Sequence, residues 1–148
     1  MRAVAELSPR LDVVEPGWIT LRSRGPSRYF GGDQALADRL VAAIAPLAPV
    51  AVGVADGRSA ATIAARVAAT SDDRALVVAP GGSPDFVHRL PTAWLVELGD
   101  ATPDLVDLFV RMGLRTLGHV AELDPGDVYA RFGDEGRRAH RVASGADD

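Results

Sequence analysis

Neither cysteine nor lysine occurs among the 148 residues. Without cysteine there is no disulfide, no thiolate zinc site and no sulfur nucleophile. Without lysine there is no amine for a Schiff base and no phosphate-binding lysine of the Walker type, because all sixteen basic residues are arginine. Arginine in place of lysine, with heavy use of alanine, is the pattern of GC-rich coding. No apolar run is long enough to span a bilayer, and the opening MRAVAELSPR lacks a signal-peptide pattern. The expectation is a cytoplasmic protein without membrane contact. A net charge of −4 argues against strong nonspecific nucleic-acid binding, though it leaves room for a local arginine face. What is present, 47% hydrophobic and 24% charged, suits one globular domain or a small domain with an appendage.

Residues 11–15, LDVVE, and 18–22, WITLR, read as two short strands punctuated by Pro16 and Gly17. After the loop RGPSRYFGGD, Asp33 is the expected N-cap of a helix. Leu36, Leu40 and Ile44, with Ala37 and Val41 beside them, give that helix one apolar face, and Pro46 and Pro49 end it. VAVGVA (50–55) reads as a buried strand, DGRSAATIAARVAAT as a turn and a helix, RALVVAP (74–80) as another strand, and GGSPDFVHRLP as a loop with one short helix. The order β-β-α-β-α-β predicts an α/β (α+β) layered unit over 1–90. Composition changes within 88–97, and 91–148 reads as a helical unit. Its first long helix has Thr102 as N-cap, Pro103 at the first position and Gly113 as the stop. TLGHVAEL, PGDVYARFG and DEGRRAHRVASG follow as three further helical segments.

The chemistry-bearing patterns are sparse. Gly57–Ser59, in VGVADGRSAATIAA, is a strand-turn-helix junction of the kind that can hold an anion on free N–H groups. It has neither dinucleotide nor P-loop spacing, and as a nucleophile elbow it lacks the closing glycine. A structural turn is the plainer reading; a small α/β hydrolase or ligand-binding domain is the alternative function it would support. His88, His119 and His140 show no paired ligand spacing and read as surface or capping histidines. The acids Asp104, Asp107, Glu122, Asp124 and Asp127 sit around helix starts, where the dipole favours them. Asp12 and Glu15 are an odd number of positions apart on one strand, which points them to opposite faces and away from a shared metal. Arg22, Arg24 and Arg28 cluster in one loop, open to either solvent or phosphate.

Three stretches together resemble the Y-family, or lesion-bypass, DNA polymerases, and more specifically their ImuB-type branch, regarded as non-catalytic. Ser8, Pro9, Leu11, Asp12, Val13 and Leu21 keep the frame of the family's S-P-x-V-E-x-Y-S-I-D-E-A-Y-L-D, and RYFGG matches the end of its following loop. VGVADGRSAATIAARVAAT is similar to a second family stretch at Val52 to Ala55, Ala61, Ile63, Ala64 and Ala68. MGLRTLGHVAEL and ARFGDEGRRAHRVASG resemble a third. The resemblance spans most of 8–145 and implies a partial palm over 1–90 and a thumb-like, helix-hairpin-helix-derived unit over 91–148.

The departures fall where the family's chemistry is. Its catalytic Asp-Glu pair falls on Gly17 and Trp18, and its triphosphate lysine on Ala69. Nucleotidyl transfer needs acids to hold two divalent ions, and neither Gly17 nor Trp18 can ligate one. The family's thumb hairpin, G-V-G-P-K-T-A, is here DATPDLV, with Asp100 and Thr102 in place of glycines and Asp104 in place of the lysine. Arg115, in RTLGHVAEL, is left as the candidate for a weak DNA backbone contact. The resemblance implies no metal or other cofactor. It implies a fragment lacking the N-terminal strand, fingers, DNA-gripping domain and clamp-binding segment. The implied role is a noncatalytic adaptor in damage-induced (SOS) mutagenesis and translesion synthesis, bridging a sliding clamp, an accessory protein and an error-prone polymerase. An uncovered N-terminal hairpin is further expected to let the fragment self-associate.

Overall fold

In the computed structural model, which describes residues 11–15, 18–21 and 32–145, the first two apolar runs pair as an antiparallel hairpin, β1 (Leu11–Glu15) with β2 (Trp18–Leu21). Its register runs Leu11 to Leu21, Asp12 to Thr20 and Val13 to Ile19, then shifts so that Glu15 meets Trp18. An extra residue of this kind breaks the two-residue alternation of a strand. Gly17 and the arginine loop lie outside the described residues.

The next helix, α1 (Asp33–Ile44), starts one residue earlier than expected. Gly32, at φ 120, takes the cap position, and no side chain caps the helix. Only glycine adopts that conformation at low cost. Asp33 therefore falls inside the first turn, where an acid still suits the helix dipole. Leu36, Ala37 and Leu40 are buried, as the four-residue spacing requires. The helix stops at Ile44, two residues before Pro46.

A β-α-β unit follows: β3 (Val52–Val54), α2 (Arg58–Ala69) and β4 (Ala75–Val77), with the strands parallel and Val52, Gly53 and Val54 opposite Ala75, Leu76 and Val77. Both α1 and α2 pack on this pair. Helix α2 buries Ile63 together with Ala60, Ala64 and Ala68, and the three alanines are small enough to let it approach the strand closely. Among the described residues, β1–β2 and β3–β4 form two separate two-stranded sheets.

The chain divides into two compact units, 1–79 and 80–148. The second opens with α3 (Ser83–Arg89), which packs on α6 (Leu117–Ala121). Between them lie α4 (Trp94–Glu97) and α5 (Pro103–Arg111), and α7 (Pro125–Ala143) closes the unit. Leu95, Phe109, Leu117, Val120 and Ala139 are fully buried at its centre. Helix α7 is two segments, as its glycines suggest. Gly133, at φ 65 and ψ −152, breaks it, and the Phe132 ring before the break meets Phe109 edge-on, centroids 5.2 Å apart. Gly136 after the break is buried, and a Cβ there would overlap that of Phe132. The architecture is the predicted one, a small α/β unit followed by a helical unit. Among the described residues no helix is long and apolar enough to cross a membrane.

Candidate nucleic-acid interface

The one buried polar residue named among the described core is Thr92, 1% exposed. It follows Pro91, and its polar groups face the loop after α5. Its N–H donates to the Arg115 carbonyl at 3.0 Å, and its hydroxyl to the Leu114 carbonyl at 2.7 Å. Leu117 N–H returns a bond to the Leu90 carbonyl at 2.9 Å, and Pro91 and Thr116 form an antiparallel bridge. The loop carrying Arg115 is thus clamped while its side chain stays exposed. From the other side, Arg115 N–H donates to His119 Nδ1 at 3.2 Å. An accepting Nδ1 places the ring proton of neutral His119 on Nε2. Thr116 caps α6 by accepting from His119 N–H at 3.3 Å.

This clamp predicts a measurable cost. Thr92→Val keeps the shape but removes the donor to Leu114, leaving a partly buried carbonyl to be satisfied. The expected loss is about 1–3 kcal/mol, read by urea unfolding. Faster amide exchange at Leu117 should accompany it if the loop loosens.

A second hairpin sits at the start of α5. Helix α4 ends in Gly99 at φ 76, and Asp100 and Ala101 N–H groups both donate to the Leu95 carbonyl. Thr102 then caps α5, its hydroxyl oxygen accepting from Leu105 N–H at 3.3 Å, with Pro103 at the first position, as read from the sequence. In the reciprocal cap found at many helix starts, the fourth residue is Glu or Gln and reaches back to the cap N–H. Here that residue is Leu105. Glu135, on the second segment of α7, supplies the missing acid from elsewhere. Its Oε1 accepts from both Thr102 N–H and Thr102 Oγ1, each at 2.6 Å. The two Thr102 bonds hold the Glu135 carboxyl below the ordinary carboxylate range, with the Arg138 charge adding a little.

The other sequence candidates are scattered. Ala69 is the exposed last residue of α2, and its carbonyl accepts from Arg74 Nη1 at 3.3 Å. Gly57, at φ 85, caps α2, and Ser59 lies inside its first turn. Gly17 lies outside the described residues. Trp18 is placed only as the first residue of β2. His140 Nε2 lies 2.9 Å from the Leu123 carbonyl, a bond to backbone. Among the described residues no group of three or more His, Asp or Glu could hold a metal ion.

Charge is unevenly divided. Residues 80–148 carry seven arginines against twelve Asp and Glu, a net of −5, while 1–79 carry nine against eight. Arg137 is also engaged within the chain, 2.9 Å from Asp134 and stacked over Tyr129.

No family model matches the chain. Against individual proteins the similarity is specific. DNA polymerase IV of Methanoculleus marisnigri is 35% identical over 97 residues, which is 66% of this chain and 26% of that protein. DNA polymerase IV of Halobacterium salinarum is 34% identical over 99 residues, 67% of this chain and 23% of the relative. DNA polymerase IV 2 of Mesorhizobium japonicum is 35% identical over 85 residues, 57% and 19%. These matches support a relationship to the Y-family DNA polymerases. The chain spans about a quarter of the length of the first two.

Proposed function

We propose that this chain is a polymerase-like, noncatalytic component of DNA-damage bypass, of the ImuB type. What supports the reading is the similarity to DNA polymerase IV together with the sequence resemblance, on which the family's metal-holding acids fall on Gly17 and Trp18. Without carboxylates there, the two ions that stabilise the attacking and leaving oxygens have no ligands from this segment. Ala69, at the triphosphate position, offers no cation. In this reading 1–90 form a partial palm and 91–148 a thumb-like unit. The intact protein bridges a sliding clamp, an accessory protein and an error-prone polymerase, and uses DNA contact only weakly, through Arg115.

Two measurements test it. Manganese titration followed by paramagnetic NMR broadening should leave residues 12–22 unaffected. Selective broadening there at micromolar metal would overturn the noncatalytic reading. Fluorescence anisotropy with primer-template DNA should show weak binding that falls steeply with salt, since only phosphate contacts remain. Arg115→Ala should weaken it evenly across sequences. Tight, salt-insensitive binding is the contrary outcome.

A further inference from the structure

Asp56 is the only aspartate followed by glycine in the sequence, and asparagine is absent. The pair forms the junction between β3, which ends at Val54, and α2, which starts at Arg58, and both residues are exposed. Gly57 holds φ 85 and ψ 153, and its carbonyl accepts from Ala61 N–H at 3.2 Å. Only glycine takes that conformation at low cost. The junction thus requires at position 57 the one residue with no side chain to shield its peptide nitrogen. Among the described residues no hydrogen bond takes up the Gly57 N–H. An exposed, unbonded amide nitrogen directly after an aspartate can close a succinimide ring on that carboxyl group. Asp56 is itself held by an interaction within the chain, which ring closure must break.

We propose that Asp56–Gly57 is a self-modification site, where succinimide formation in the folded chain converts Asp56 to isoaspartate and loosens α2 from β3. The Gly57 nitrogen attacks Cγ of the protonated Asp56 carboxyl. The N–Cγ bond forms as the amide proton and the carboxyl hydroxyl leave together as water. Water then adds back to either ring carbonyl. Attack at Cγ breaks the new bond and restores aspartate. Attack at the main-chain carbonyl carbon breaks its bond to nitrogen, and the chain then runs through Cβ and Cγ. One water leaves and one returns, so no oxidant, cofactor or partner is required. The product keeps its negative charge but lengthens the main chain by one methylene between β3 and α2. The extra length falls where the packing is tight, because Gly53 of β3 lies against the backbone of Ala61 and Ala65 in α2. The inference does not depend on the polymerase-like reading.

The test keeps the full chain folded at neutral pH in water enriched in ¹⁸O, then digests it with trypsin in ordinary water. Cleavage after Arg39 and Arg58 releases residues 40–58, a peptide whose sole acidic side chain is that of Asp56. Each opening of the ring leaves one heavy oxygen in it. The peptide should gain that mass with time and split into two chromatographic forms of equal composition, while the other aspartate-containing peptides stay light. Asp56→Glu keeps the charge but needs a larger ring, so its peptide should stay light whether or not the variant folds. A peptide 40–58 that stays light in the folded wild type overturns the proposal, even where the urea-unfolded chain takes up label. Equal uptake in every aspartate-containing peptide, or in Asp56→Glu, overturns the site. The second arm compares fresh chain with chain enriched in the isoaspartate form. The enriched chain should unfold at lower urea with an unchanged slope. An equal midpoint overturns the loosening of α2.

Discussion

Gly53→Ala is expected to destabilise the first unit by about 3 kcal/mol or more, at the upper end of what overpacking costs. Gly53 is the middle residue of β3, and α2 crosses it directly. A Cβ there would fall within hard contact of the Ala65 backbone nitrogen and the Ala61 carbonyl oxygen. Those are backbone atoms of a helix, so no side-chain rotation relieves the overlap. The helix must move away as a body, and Ala60, Ile63, Ala64 and Ala68, all buried, lose contact as it does. The small residues of α2 thus serve a close strand-helix approach, and Gly53 is its other half. Urea unfolding followed by circular dichroism at 222 nm measures the loss. A cost below about 1 kcal/mol would mean that the helix lies farther from the strand than described. If the layer opens, the β3–β4 pairing from Val52–Ala75 to Val54–Val77 should lose amide protection with it.

The order of strands and helices was legible because it rests on local signals. Four-residue spacing named the buried face of α1, and Thr102, Pro103 and Gly113 marked the ends of α5 correctly. The misses share a cause, a conformation or partner that no local pattern announces. Asp33 was expected to cap α1 because its side chain is the better capping group, but Gly32 could take the φ of 120 that the chain's entry required. Helix α4, only four residues, is too short to show a period. The sequence boundary was placed within 88–97, where the composition changes, whereas the contacts divide the chain between 79 and 80. Helix α3 packs on α6 and belongs with the second unit, because buried Val87 sits among its core.

The candidate interface divides in the same way. Arg115 entered through the family resemblance as a candidate backbone contact, and the structure places it exposed just before α6. Thr92, twenty-odd residues earlier, was not legible, since a lone threonine after proline has no motif. Glu135 was missed for a more instructive reason. The sequence T-P-D-L lacks the acid that would complete its own cap, and that absence is itself a signal that Thr102 N–H must be satisfied from elsewhere. Which distant acid supplies it depends on the break at Gly133.

Phe109→Ala should cost about 3–5 kcal/mol, the range for deleting a buried aromatic ring. Phe109 is fully buried and is the largest such side chain among the described residues. Its ring is met edge-on by Phe132, an arrangement worth about 0.5–1.5 kcal/mol beyond area alone. The backbone of Phe109 also anchors the loop, its carbonyl accepting from Leu114 N–H at 2.9 Å and from Met112 N–H at 3.1 Å. The cavity therefore opens between α5 and the first segment of α7, where Phe132 meets the ring. Loss should appear in the fluorescence of Trp94, on α4 of the same unit, measured in a Trp18→Phe background so that no other tryptophan contributes. Phe109→Leu refills part of the volume and should recover more than half of the loss. A Phe109→Ala chain that melts like the wild type in the Trp94 signal would show that the Phe109–Phe132 contact does not hold this unit together. If the contact does hold it, the variant should also release the Thr102 and Leu117 amides to exchange. Both hairpins hang from the same buried ring, one at each end of α5.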